Sequence, residues 1–220
     1  KQKNLDTTLN DFLPSINVIY SLNTKFKIRG AYYRTLSRPE FRELAPFNFY
    51  NFIQDNITSG NVNLKRAIID NYDFRMEYYP SEGQNISVSG FYKSFTDPIE
   101  LINRTGTSGA PELYYSNADK ATNLGCELEY RIKLNTIFKN KLFNNISWIS
   151  NFSLIKSNVD LHNFIGSGDK RPLQGQSPYI INSGLFYKND NNLTVSLSYN
   201  LIGYRIYIVG NVQEPSVWEK

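Results

Sequence analysis

The chain has 220 residues, a formal net charge of +4, 15% aromatic residues and a mean hydropathy of −0.43. One cysteine, Cys126, and one histidine, His162, exclude an internal disulfide framework and a cysteine-based zinc site. The modest charge lacks the dense basic stripe of a nucleic-acid binder, and no run approaches the roughly 18 apolar residues of a spanning helix.

Low mean hydropathy does not exclude a membrane β-barrel, whose wall needs apolar residues only at every second position. In chain order, period-two alternation predicts strands at 15–22, 25–36, 67–79, 84–96, 121–134, 143–157, 177–188 and 192–209. In the first, Ile16, Val18, Tyr20 and Leu22 share a face. In the third, Tyr72, Phe74, Met76 and Tyr78 oppose Asn71, Asp73, Arg75 and Glu77. In the fifth, Leu124, Cys126, Leu128, Tyr130 and Ile132 oppose Gly125, Glu127, Glu129, Arg131 and Lys133. In the last, Leu193, Val195, Leu197, Tyr199 and Leu201 oppose Thr194, Ser196, Ser198 and Asn200. No helix is predicted.

The connections at 23–24, 80–83, 135–142 and 189–191 are short, and those at 38–66, 97–119 and 158–176 are long. They alternate strictly, as the tight turns and long outer loops of an up-and-down outer-membrane barrel do; a soluble sandwich has no reason to keep that rhythm. Several patterns reach a dozen residues, where globular strands usually hold about 5–6 and a tilted spanning strand needs about 9–11. The expected fold is all-β: an antiparallel transmembrane barrel segment of about eight long strands, with the long connections at one end. Leu124, Leu128 and Ile132 should face lipid, and Glu127, Glu129 and Arg131 the lumen. Tyr78, Tyr79, Phe91, Tyr92, Tyr130, Tyr187 and Tyr199 are candidates for aromatic girdles.

The strings RGAYYRTLSRPEFRELAPF, GNVNLKRAIIDNYDFRMEYYP and ISVSGFYKSFTDPIE, followed by ATNLGCELEYRIKL, PYIINSGLFYKN and LSYNLIGYRI, keep one order along nearly the whole chain. Together they resemble the barrel region of TonB-dependent outer-membrane receptors, most closely the Bacteroidota branch. The resemblance implies nutrient uptake across the bacterial outer membrane, driven through the TonB complex acting on a plug domain of the same precursor. It also implies contact with outer-membrane lipid and a small-molecule or oligosaccharide ligand, with a surface lipoprotein as a further partner and no nucleic acid. Residues 1–220 would then be a partial barrel, with no plug domain, no signal peptide and the terminal strands missing. Family barrels close with about 22 strands, so 15–22 and 192–209 are expected to be free edges. The isolated chain is expected to fail to give a heat-resistant monomer in detergent.

Candidate ligand contacts lie in the long connections: Phe47, Phe49 and Tyr50, with Phe52 beside them, and the cations Lys170 and Arg171 next to Asp169. The aromatics can meet a ligand at the cell surface or pack the loop onto the rim; the charge run can attract an anion or simply be solvated. Arg38, Pro39 and Glu40 head the first long connection, and the family motif gives them a structural role. His162 has no second histidine or cysteine and no nucleophile motif beside it, so neither metal binding nor catalysis follows. Cys126 reads as a small hydrophobe. Glu127 and Glu129 stand about 6.5–7 Å apart on one strand face, a spacing that inverting glycosidases also use, but Arg131 and Lys133 continue the strip and suggest charge-paired lumen residues. No P-loop, dinucleotide fingerprint or zincin motif is present. No cofactor is expected and the chain is not read as an enzyme. The alternative is a soluble all-β carbohydrate-binding module, which requires Ile16, Val18, Leu193, Val195 and Leu197 to be buried between two sheets.

Overall fold

The computed structural model describes residues 10–52, 56–104, 112–160, 171–189, 193–210 and 215–220. Its wall is one antiparallel sheet of eight strands in the order β1-β2-β5-β6-β9-β10-β11-β12. These are β1 (Ser15–Ser21), β2 (Phe26–Ser37), β5 (Ala67–Tyr78), β6 (Asn85–Thr96), β9 (Lys120–Lys133), β10 (Ile146–Asp160), β11 (Tyr179–Lys188) and β12 (Thr194–Ile202). Each pairs with the one before it in the meander. The sheet is open: β1 and β12 lie at its two ends and do not pair with each other.

The register sorts side chains by chemistry. Cross-strand partners Tyr20, Ile28, Met76, Val88, Leu128, Phe152, Ile181 and Leu201 form a row across the whole sheet. The adjacent row, on the opposite face, is Ser21, Lys27, Glu77, Ser87, Glu129, Asn151, Asn182 and Asn200. A one-residue slip at any strand would exchange the two chemistries, so the pattern itself fixes the register. Apolar side chains on the first face remain open: Ile16 and Val18 are 60% and 59% exposed, and Leu193, Val195 and Leu197 are 54%, 54% and 69% exposed. The sandwich alternative required these residues to be buried, and it is set aside on this observation.

Aromatics gather near both ends of the apolar face. Tyr32, Tyr72 and Tyr92 are successive cross-strand partners with ring centroids 5.1 and 6.1 Å apart. Six residues along the strands, about 20 Å at the usual rise, Phe26 stacks on Tyr78 at 4.5 Å and Tyr130 meets Trp148 edge-on at 4.7 Å. Two of the expected girdle residues turn the other way. Phe91 pairs with Gly125 on the polar face, and its ring fills the space that a side chain at 125 would need. Tyr79 donates its hydroxyl to Glu77 at 2.9 Å, also on the polar face.

The long connections are not plain loops. The first contains α1 (Phe41–Leu44), β3 (Asn48–Asn51) and β4 (Asn56–Ser59); the second contains β7 (Ile99–Arg104) and β8 (Glu112–Asn117). Together they form a second sheet, β3-β4-β8-β7, with β4 and β8 parallel. The segment expected as one strand over 192–209 breaks after Ile202. Its neighbour β11 is preceded by Pro178, which has no N–H to extend the ladder. The chain then turns into β13 (Arg205–Ile208), which pairs with β14 (Val217–Glu219).

At the other end the turns are tight. Asn23 Oδ1 accepts from the amides of Lys25 and Phe26, closing the first turn. Gly83 takes a φ of +74°, open to glycine without strain, in the second. The third is longer than expected: α2 (Leu134–Ile137) and a single 3-10 turn (Lys141–Phe143) separate β9 from β10. The fourth, expected at 189–191, lies outside the described residues beyond Asn189.

The buried apolar residues are Ala45, Ala67, Leu113, Ala118, Ala121, Val159, Ile206 and Val209. Ala45, Leu113 and Ala118 lie in the long connections, Ala67, Ala121 and Val159 at the strand ends that meet them, and Ile206 and Val209 at β13. The packed core therefore sits where the connection layer meets the wall, and Ala118, Ala121 and Val159 with Phe95 and Leu173 are its centre.

Candidate functional site at the long-connection end

Three polar side chains bind the long connections together. Asn117 accepts from the Lys65 amide at 2.8 Å and donates to the carbonyls of Lys65 and Asp97, tying the first connection to the second. Gln174 accepts from the Leu101 amide at 2.6 Å and donates to the Tyr207 carbonyl, tying the third to β7 and β13. Arg171 donates through both terminal nitrogens to Glu100, at 2.8 and 2.6 Å. This pair is buried, with side chains 9% and 1% exposed. Arg171 thus anchors the third connection. Lys170, Asp169 and His162 lie outside the described residues.

The head of the first connection is held as tightly. Asp11 takes Arg66 at 2.9 Å and stands 3.6 Å from Arg38. The Glu40 amide donates to the Glu43 carboxylate at 2.9 Å, starting α1. Gly60 passes so close to the backbone of Glu43 and Ala45 that a Cβ there would collide with it.

On this frame β3 presents aromatics. Phe47 and Phe49 have ring centroids 4.6 Å apart, Tyr50 and Phe52 4.8 Å apart, and the Arg42 guanidinium lies over Phe49 at 5.0 Å. Phe47, Tyr50 and Phe52 remain 52%, 46% and 86% exposed. Nearby, a cleft of about 620 Å³ opens among Arg38, Glu43, Leu101, Tyr115, Arg205 and Tyr207. Burial, and then the carboxylates of Glu43 and Glu40, hold the Tyr115 hydroxyl above the usual tyrosine range. At neutral pH it is a neutral hydrogen-bond donor. Among the described residues no group of three His, Cys, Asp or Glu side chains converges as a metal site would require.

The polar face of the wall carries a charge network that reaches across four adjacent strands, from β2 to β9. Arg29 meets Glu77 at 3.0 Å; Arg75 meets Glu77 at 3.0 Å and Glu129 at 2.7 Å. Arg75 lies on β5 and Glu129 on β9, two inter-strand spacings apart or about 10 Å. The contact is possible because intervening β6 places only Ser87 and Ser89 there. Glu129 is therefore paired across the sheet rather than with Arg131 or Lys133, and Glu127 accepts from Ser153 at 3.2 Å.

The chain belongs to a family defined by its fold and its membrane. The model of the TonB dependent receptor-like β-barrel matches residues 1–217, so this chain is a member of that family. The family's barrels lie in the bacterial outer membrane, and its members are receptors and transporters that bind small molecules and work through a plug and TonB. Among solved structures, the siderophore receptor PirA of Pseudomonas aeruginosa is similar, with 19% identity and a TM-score of 0.62 over 88% of this chain and 34% of that one. A ferric enterobactin receptor (PfeA) mutant of Pseudomonas aeruginosa in complex with enterobactin has 19% identity and a TM-score of 0.58, over 89% and 28%. The copper transporter OprC has 17% identity and a TM-score of 0.61, over 91% and 29%. The chain thus spans about a third of the length of such structures. No match was found among curated protein sequences.

Proposed function

We propose that this chain is a stretch of the wall of a larger TonB-dependent barrel that takes up a nutrient across the outer membrane. The paired apolar and polar rows carry this reading: one face meets lipid, and the other faces a watery lumen occupied by a plug. Further strands of the same barrel would pair with β1 and β12, whose open edges are untenable in lipid. The plug of the same precursor would couple the barrel to the TonB complex. The resemblance of RGAYYRTLSRPEFRELAPF and GNVNLKRAIIDNYDFRMEYYP to the Bacteroidota branch supports a source there, where a surface lipoprotein would deliver cargo. No catalytic role is assigned.

Phe47, Phe49 and Tyr50 form the proposed ligand-contacting surface, next to the cleft. Aromatic rings held on a rigid strand and left open to water suit a ligand with flat rings or sugar faces. Arg171 contributes by holding the third connection in place, since its terminal nitrogens are committed to Glu100; Lys170, outside the described residues, is proposed as a cation for an anionic group. Uptake by a strain lacking the gene, measured with ferric enterobactin, copper and maltoheptaose in turn, should drop for one of the three. Phe47→Ala with Tyr50→Ala in the intact receptor should weaken binding of that cargo by about 2 kcal/mol or more, in the range of interface anchors. Unchanged uptake of all three, or binding untouched by the double substitution, would overturn the assignment.

A further inference from the structure

The ionic balance differs between the two ends of the sheet. At the long-connection end four cations sit in ion pairs, Arg66 with Asp11, Lys65 with Asp97, Arg171 with Glu100 and Arg205 with Glu219, and exposed Arg42 lies over the Phe49 ring; Lys120 is exposed without an ion pair among the described residues. At the other end, Lys139 and Lys141 are exposed and, among the described residues, make no ion pair. Both belong to the connection between β9 and β10. The same connection exposes two large apolar side chains, Ile137 and Phe138, each 51% accessible. It springs directly from the strand ends that carry Tyr130, Ile132 and Trp148 on the apolar face.

Apolar side chains interleaved with unpaired lysines, next to an aromatic belt, have one physical counterpart. It is the boundary between acyl chains and anionic headgroups, where the rings insert and the ammonium groups meet phosphates. We infer that the segment 134–145 is a headgroup anchor that prefers anionic phospholipid in the leaflet at the short-connection end. Ile137 and Phe138 insert, and Lys139 and Lys141 bind the phosphates. The inference rests on the lipid-facing assignment of the sheet and is independent of the cargo, so it and the uptake reading fail in separate experiments.

The test uses the intact receptor in mild detergent. Phosphatidylglycerol or phosphatidylcholine is added, and bound lipid is counted by native mass spectrometry. The receptor should retain phosphatidylglycerol in preference to phosphatidylcholine, and about 1 M salt should abolish the preference. Lys139→Gln with Lys141→Gln should weaken phosphatidylglycerol binding about 25-fold, about fivefold for each lysine. The corresponding Lys→Arg pair should keep it. Ile137→Ser with Phe138→Ser should weaken both lipids. Each variant is scored only when it shows the parent's heat-dependent gel shift. Equal retention of the two lipids overturns the proposal, as does full binding by the Gln pair. Inorganic phosphate competing as well as the lipid would also overturn it, by making the site one for free phosphate. A Gln pair that keeps its lipid but loses a bound protein would assign the lysines to that protein and reject the lipid.

Discussion

Replacing Arg171 with Met is expected to loosen the connection layer by about 3–5 kcal/mol, the cost of leaving one member of a buried ion pair behind. Glu100 is 1% exposed, and its carboxylate takes both terminal nitrogens of Arg171 together with the Gln174 amide. Methionine fills much of the same space but supplies no charge and no donor. The carboxylate then stays buried and uncompensated, and the strands it joins, β7 and the segment at 171–176, open together. Pairing the change with Glu100→Gln removes the charge while keeping an acceptor for Gln174, so most of the loss should be recovered. Hydrogen exchange reads this directly. Amides at 99–104 and 171–176 should lose protection in the single variant and regain it in the double, while those of β9 and β10 mid-strand stay unchanged. Equal protection in parent and single variant would show that the pair does not hold the layer.

The second large effect lies on the wall. Leu128 is 40% exposed and sits within the row Met76, Val88, Leu128, Phe152 on the apolar face. Leu128→Arg should cost roughly 2–4 kcal/mol of membrane assembly if the residue lies near the bilayer midplane. The neighbouring position needs a gentle control, since Glu129 already pairs with Arg75 at 2.7 Å and an arginine there would place two cations side by side. Glu129→Gln keeps an acceptor for Arg75 and should cost about 1 kcal/mol or less, as exposed pairs do. Refolding into vesicles under urea gives both numbers. Equal losses would contradict the assignment of the two faces.

The wall was legible because it obeys a single local rule. Strands of seven to fifteen residues, with Glu77, Glu129 and Arg131 opposite Met76, Leu128 and Ile132, leave one register that separates the two chemistries. The connection layer hides from that rule. NFYN and NITS are too short to display a period, and the parallel pairing of β4 with β8 joins segments far apart in sequence. Arg171 and Glu100 are 71 positions apart, so nothing local marks Arg171 as an anchor. The inward turn of Phe91 depends on Gly125 three strand elements later, where a missing side chain makes room. The reach of Arg75 to Glu129 likewise depends on the small serines of β6. Each was decided by a neighbour across the sheet, which a pattern read along the chain does not contain.

The central claim is that this sheet is barrel wall with lipid on one side and water on the other. Spin labels placed singly along β9, from 122 to 132, in the intact receptor reconstituted into bilayers, with Cys126→Ser as the background, test it most directly. Oxygen should relax labels at 124, 128 and 132 most strongly, and a water-soluble nickel chelate those at 127, 129 and 131, the two profiles alternating out of phase with a period of two. Profiles that run in phase, or labels shielded from both reagents on both faces, would contradict the barrel.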